Sequence, residues 1–480
     1  MRQVLRIARD EWRQWSRSRL AWVSSALLLL VLVSTAVLTF LQVAQETEAR
    51  SALQRQAHDT FLSQPARHPH RMVHYGHYVF RSPSPLAAFD PGLDPVTGQT
   101  LFLEGHRQNT AAFAAAAAGA RLGGLPALSP AVVYQLFVPL LLIVLGYGAV
   151  ARERESATLM PLLMQRVSGG TLVAGKLWAL GATALLLTLP VAAIGLWATI
   201  AGDSGWAVLG VAALCALYLL AWCAIIVAVS AVFRSRHSAL AALAALWIAA
   251  AWVVPAVSVD AAARTQPVPG KIDTDLRMLA ELREVGDGHN AAAPAFARLR
   301  EDLLAQHGVE RPEDLPVNLR GVVAQHAEAK LTRVLDRYAD ERMAGETAQA
   351  HAARSFGWLS PVVAFATASR ALAGTDLDNH HRFMREAEAL RFRFVQALNR
   401  IHAEQLAYTD DIARSRDAEA ERRTRVDPSA WRVLEEFRFR PASVATRLQS
   451  AAPALFMLLA WLSLALAACA WSARRLGTSP

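Results

Sequence analysis

Four histidines, His68, His70, His74 and His77, fall within ten residues of this 480-residue chain, and His106 follows further on. Imidazole suits Zn2+ or Cu2+ as a ligand. The spacing matches no closed metal-binding motif, and the surrounding strings are turn-like. Hydrogen-bonding histidine in a loop-rich segment is the plainer reading, and metal ligation by His68, His70, His74 and His77 is the alternative. His380 and His381 are adjacent on a charged helical stretch, so their side chains project about 100° apart.

Other chemistry-bearing patterns dissolve on inspection. Gly170-Thr-Leu-Val-Ala-Gly175-Lys176 satisfies G-x-x-x-x-G-K, but Leu177 stands where a phosphate-binding loop needs Ser or Thr for Mg2+. No strand pattern precedes it, and an apolar span follows. Neither H-E-x-x-H nor G-x-S-x-G occurs. The chain is therefore not read as an enzyme, and it carries no cofactor of its own.

The elements that must position these residues are membrane helices. The composition is 54% hydrophobic, and the apolar residues cluster rather than alternate. A hydrocarbon core of ~30 Å needs ~20 apolar residues in a helix. Six runs qualify: 20–43, 132–150, 177–200, 208–233, 239–259 and 451–471. None holds Asp, Glu, Lys or Arg before its ends, which argues against a proton-coupled carrier. Backbone groups in lipid must be satisfied within helices, so the fold class is an all-α integral membrane protein.

Basic residues set the orientation. Arg2, Arg6, Arg9, Arg13, Arg17 and Arg19 precede the first span. Arg152, Arg154, Arg166 and Lys176 lie between the second and third, Arg234 and Arg236 between the fourth and fifth, and Arg474 and Arg475 follow the last. All four groups fall on one side, so both termini are expected in the cytoplasm. The net charge of +9 and pI of about 10.0 then mark topology and contact with anionic lipid, not nucleic-acid binding. The three cysteines, Cys215, Cys223 and Cys469, sit in spans, and no Asn-x-Ser/Thr sequon occurs. Both facts suit a bacterial inner membrane.

Residues 1–19 pair an arginine stripe with Leu5, Ala8, Trp12 and Trp15, the pattern of an amphipathic helix lying in the membrane plane. The first extracytoplasmic domain, 44–130, opens with a polar helical stretch. It continues as Pro- and Gly-rich turns and ends in an alanine run at 111–120. The second, 260–450, is long, helical and nearly neutral. Leu331, Val334, Leu335 and Tyr338 form one apolar stripe, and Leu390, Phe394, Leu398 and Ile401 another, as in an antiparallel helical hairpin. The apolar stretch 356–374 is too short to span; packing on the membrane surface or capping the bundle is expected of it, with a re-entrant hairpin as the alternative. Residues 472–480 form a cytoplasmic tail.

The loop at 151–176 is short, charged at its start and amphipathic after that: Arg152-Glu-Arg-Glu-Ser-Ala-Thr-Leu-Met-Pro-Leu-Leu163, ending in Ala174-Gly-Lys-Leu177. It resembles the signature of ABC-2 type permeases, Glu-Arg-Glu-x-Gly-Thr-Leu with a later Gly-Lys, with Ala157 in place of the usual Gly. His74-Tyr-Gly-His77, Asp90-Pro-Gly92 and Asn379-His-His-Arg-Phe383 are similar to a bacterial permease branch with large extracytoplasmic insertions. That branch includes relatives of the permease that serves nitrous oxide reductase maturation.

The resemblance implies six transmembrane helices behind an in-plane helix, and a separate ABC ATPase subunit that binds ATP and Mg2+. It implies a second permease subunit, the same or related, and a periplasmic partner. It places Glu153, Arg154, Glu155, Thr158, Leu159 and Leu162 in the helix that couples to the ATPase. Export of a substrate, or conformational work on a periplasmic partner, is the function so implied. The alternative is a membrane-anchored periplasmic binding or assembly protein involved in metal-centre or metallophore handling.

Overall fold

The computed structural model describes residues 1–112, 128–286 and 288–476. The alanine run expected at 111–120 lies mostly outside these residues, as does the end of the tail. The described residues are mostly helical, and six helices among them are long and apolar enough to cross a membrane. They are α2 (Arg19–Leu62), α4 (Pro130–Glu155), α6 (Gly169–Ile200), α7 (Gly205–Val232), α8 (Arg236–Thr265) and α15 (Val444–Leu476). Helix α1 (Arg2–Arg17) precedes them, and α3 (Pro69–Tyr75) and α5 (Leu159–Met164) lie in connections.

Helix α7 is the centre of the bundle. Its apolar window is 72% buried, against 17% for α8, which sits at the periphery with Trp252, Val253, Val257 and Val259 exposed. Pro139 and Pro255 explain local irregularities in α4 and α8. Proline lacks a backbone donor and crowds the carbonyl one turn back. Each follows a widened turn, closed by Val138 N to Val133 O and by Val254 N to Ala249 O.

Side-chain contacts define two ends of the bundle. At one, the last turn of α15 packs on the start of α6, where Ala473 and Leu476 cover Gly169, and α1 lies against Gly175 through Ile7. Both described termini are therefore at this end. At the other, Asp203 in the turn between α6 and α7 pairs with Arg447 at 2.9 Å and accepts a hydrogen bond from Ser84 at 3.1 Å. Both charges are nearly fully buried.

Beyond that distal end stands a second body. It contains α9 (Lys271–Val285), α10 (Ala297–His307), α11 (Leu319–Ser355), α12 (Pro361–Ala373), α13 (Leu377–Gln405) and α14 (Tyr408–Ala413). Strands β1 (His77–Phe80) and β2 (Thr100–Leu103) pair antiparallel, with His77 opposite Leu103. The stripes on α11 and α13 face one another, with Leu331, Leu335, Leu390, Phe394 and Leu398 buried. One core joins Phe61, Met72, Val79 and Leu101 to Phe383, Phe394, Trp431 and Phe437. The two long insertions, read from the sequence as separate domains, thus fold around shared side chains.

Segment 356–374 does not take the first placements expected of it. It neither lies on the surface nor caps the bundle, because α12 is inserted among the apolar helices. Phe365 packs on Tyr218 with ring centroids 4.6 Å apart. The Trp461 indole donates to the Gly357 carbonyl at 3.0 Å, and the Ser360 hydroxyl donates to the Ala250 carbonyl at 2.7 Å. Val362, Ala364, Phe365, Ala368, Ala371 and Leu372 join the bundle core. Thirteen residues make too short a helix to span a bilayer, and the protein surrounding α12 satisfies its apolar face.

Candidate functional site

The connection between α4 and α6 is built from this chain's own ion pairs. Ser230 on α7 fixes its start: the hydroxyl accepts from Val150 N at 3.0 Å and Ala151 N at 3.2 Å, and donates to Tyr147 O at 2.8 Å. Glu153 then turns inward. Its Oε1 lies 2.8 Å from Lys176 Nζ, and its Oε2 accepts from Thr158 at 2.6 Å. Lys176, 3% exposed, also reaches Glu11 of α1 at 2.5 Å, and Arg152 reaches Glu11 at 2.8 Å.

Glu11 is 1% exposed and sits on the apolar face of α1 beside Ala8. That face meets the bundle through Trp12, whose indole donates to the Ala179 carbonyl at 3.2 Å, and Trp15, which donates to the Leu145 carbonyl at 3.0 Å. The arginine stripe faces away from the bundle. Sequence reasoning placed the helix and its stripes but passed over Glu11. A lone carboxylate on an apolar helix face was the signal available.

The remaining loop residues also find partners within the chain. Arg154 donates to the Val232 and Phe233 carbonyls, each at 3.1 Å, and so closes the end of α7. Glu155 accepts from Arg236 N at 3.0 Å at the start of α8. Ala157 and Arg166 adopt φ of 56° and 62°, and between them α5 projects as a short helix. Leu159 packs on the bundle core and Leu162 is half-buried, while Met160 is 49% and Met164 81% exposed.

The histidines divide into three groups. His77 on β1 faces Gln54 and packs edge-on to His58 and Phe61, away from the others. His68 is buried beside His402 and Asp411: Asp411 Oδ1 lies 3.2 Å from His68 Nε2, and Oδ2 lies 2.7 Å from His402 Nε2. Asn318, Arg320 and Arg414 complete the surroundings of this carboxylate. These contacts outweigh burial and hold Asp411 well below the usual carboxylate range. His68 Nδ1 accepts from His70 N at 3.1 Å and so caps α3.

The third group is His70, His74, His106 and His289, whose ligand atoms all lie within 4.8 Å of one another. His70 and His74 occupy one face of α3 at i and i+4 spacing. His106 follows β2 with φ of 67°. His289 arrives from the connection after α9, where Gly288, with φ of 77°, lets the backbone approach Ala327 of α11; a Cβ there would sit 2.7 Å from the alanine methyl. Burial and the neighbouring imidazoles hold His70 down at about 2 and lower His74. Of the four histidines taken from the sequence as a candidate set, two join this group. His106, noted in the sequence but left out of that set, is the third, and His289, distant in sequence, is the fourth.

A family model described as a domain of unknown function (DUF3526) matches residues 275–440. The match runs from within α9 past the end of α14 and includes His289, Glu328, Arg391, His402 and Asp411. No curated protein matches the chain.

Proposed function

We propose that this chain is the membrane-spanning permease subunit of an ABC-2 type transporter. In this reading a separate ATPase subunit binds ATP and Mg2+, and a second permease chain, the same or related, completes the pair. The connection at 151–176 passes motion from the ATPase to the helices, for substrate export or for work on a periplasmic partner. Both termini face the cytoplasm of a bacterium, and the insertions stand outside.

The supporting observation is the contrast within that connection. Helix α5 projects with Met160 and Met164 exposed, while the residues on both sides of it are tied to α1 and α8 by ion pairs and to α7 by hydrogen bonds. A push on α5 would therefore reach three helices without an intervening soft segment. Methionine adapts to an irregular partner surface and suits such a contact. Glu153 and Arg154 act in this scheme by stiffening the loop, and Glu155, Thr158, Leu159 and Leu162 set the pose of α5.

Co-purification in mild detergent tests the proposal. The wild-type chain should retain an ATP-binding subunit and measurable ATPase activity. Met160→Asp with Met164→Asp should lose both while the chain still enters the membrane. Full retention by that double variant would overturn the coupling assignment.

A second reading, an anchored binding or assembly protein, draws support from the distal body. Its single core is assembled from both insertions, more construction than a passive loop needs. Absence of any ATP-binding partner under crosslinking would make this reading the leading one.

A further inference from the structure

We propose that His70, His74, His106 and His289 form a binding site for one divalent transition-metal ion, with Zn2+ the ion its ligand set suits best. The site stands apart from the coupling loop and does not depend on it.

Hydrogen bonding alone accounts poorly for the cluster. His74 Nε2 lies 3.2 Å from His70 Nε2 and 3.3 Å from His289 Nε2. One imidazole nitrogen offers either one proton or one lone pair, so it cannot serve both neighbours well. A cation at the common point satisfies all three. Tetrahedral Zn2+ with Zn–N bonds of 2.0–2.1 Å separates its ligand atoms by about 3.3–3.4 Å, which these two edges nearly match, and the remaining ligand atoms lie within 4.8 Å. The six ring pairs among the four histidines have centroids 4.8–5.7 Å apart, so no ring is an outlier.

His106 carries an independent sign. Its Nδ1 sits 3.0 Å from Glu328 Oε2, and its backbone N–H donates to the same oxygen at 3.1 Å. Glu328 is fully buried and held by Arg391. A carboxylate beside one ring nitrogen leaves the other free for a metal, the placement found in carboxylate–histidine–zinc arrangements. Both ring nitrogens of His106 are buried with no hydrogen-bond partner. The left-handed backbone at His106 is a local cost of the kind that gathers at binding sites.

The chemistry selects among ions. Four imidazoles and no carboxylate among the ligands disfavour Ca2+ and Mg2+, which take oxygen. Four protein ligands close a tetrahedral shell and leave no position for water, so the ion holds structure and does not catalyse. It would join α3 and the β2 connection, from the first insertion, to the connection after α9, from the second.

The test uses the full chain with a tag free of histidine, stripped with chelator and reloaded with Zn2+. Mass spectrometric metal analysis should give one Zn2+ per chain after desalting, and calorimetry one saturable event. His74→Ala and His289→Ala should each weaken that event by more than the roughly 10–100-fold cost of losing an outer-shell partner. His289 is on an exposed connection, so its removal tests the site without threatening the fold. His326→Ala, on another face of the distal body, should change nothing. Co2+ loading should give the intense visible bands of four-coordinate cobalt in the wild type only. No Zn2+ above background in the wild type, or full stoichiometry in both His variants, would overturn the proposal.

Discussion

Two polar clusters, one at each end of the molecule, solve opposite problems. Near the termini, Lys176 meets two carboxylates, Glu11 meets two cations, and Glu153 spends its second oxygen on Thr158. Donors and acceptors there balance. In the distal body, His74 has one nitrogen for two neighbours, and His106 Nε2 has none. The first cluster is complete in itself and behaves as a fastener; the second has lone pairs to spare and is receptive. Burial separates them only in part: His74 and His289 are exposed, yet Glu328 behind His106 is as buried as Lys176. The difference lies in whether every group already has its complement.

The sharpest way to break this comparison is Lys176→Met, which leaves Glu11 and Glu153 with the half-buried Arg152 as their one remaining shared cation. Breaking a buried pair by removing one partner costs about 3–5 kcal/mol. Thermal unfolding in detergent should show a large loss, with partial recovery when Glu11→Gln is added. A single variant as stable as the wild type would mean the terminal cluster fastens nothing.

The distal cluster should respond the other way. His74→Ala should change the stability of the metal-free chain little, since surface changes fall within about 0.5 kcal/mol. Zn2+ at a hundredfold excess over its dissociation constant should stabilise the wild type by about 2.7 kcal/mol, and the variant should miss this gain. Equal Zn2+ shifts in the two proteins would show that the histidines are not the receptor.

Glu328→Gln probes the support behind His106. Loss of a carboxylate partner typically lowers metal affinity by about 10–100-fold, so calorimetry should show that loss with stoichiometry kept. The smallest effect is expected at Ala157, whose left-handed backbone costs an L-residue roughly 1–2 kcal/mol. Ala157→Gly removes that strain and adds unfolded-state freedom. A net gain of at most about 1 kcal/mol in the unfolding free energy is the outcome, and a loss would mean the turn relies on the methyl group.

Much of the architecture is legible in the residues because lipid imposes a strict pattern. Runs free of charge announced six helices, and the arginine stripe announced α1. The stripes through Leu331 and Leu390 announced the α11–α13 hairpin, since helical periodicity survives in any aqueous packing. Segment 356–374 escaped because hydropathy is read by length, and α12 buries its short apolar face against protein. The common core of the two insertions escaped for another reason: Phe61 and Phe394 touch across more than three hundred residues, and no local pattern records such a meeting.

The histidine site shows the same division. His70 and His74 stood out by their closeness in sequence, but the helix that puts them on one face reads as turns. His68 and His77 were close in sequence and went elsewhere, one to cap α3 and the other onto a strand. His289 was invisible, being brought in by a glycine turn against α11. In the terminal loop, the charged residues were conspicuous, but their inward pairing with Lys176 and Glu11 required the fold.

Helix α2 runs unbroken for 44 residues, from the terminal end of the bundle to Phe61 in the distal core. At 1.5 Å per residue it is about 66 Å long, roughly twice what a bilayer requires. A rod of that length magnifies angle into distance: tilted by about 5° at its base, it carries its far end through about 6 Å. A displacement of that size exceeds the reach of any hydrogen bond in the distal body. Small rotations beside α1 would therefore be felt far from the bundle as shifts large enough to exchange one set of contacts for another.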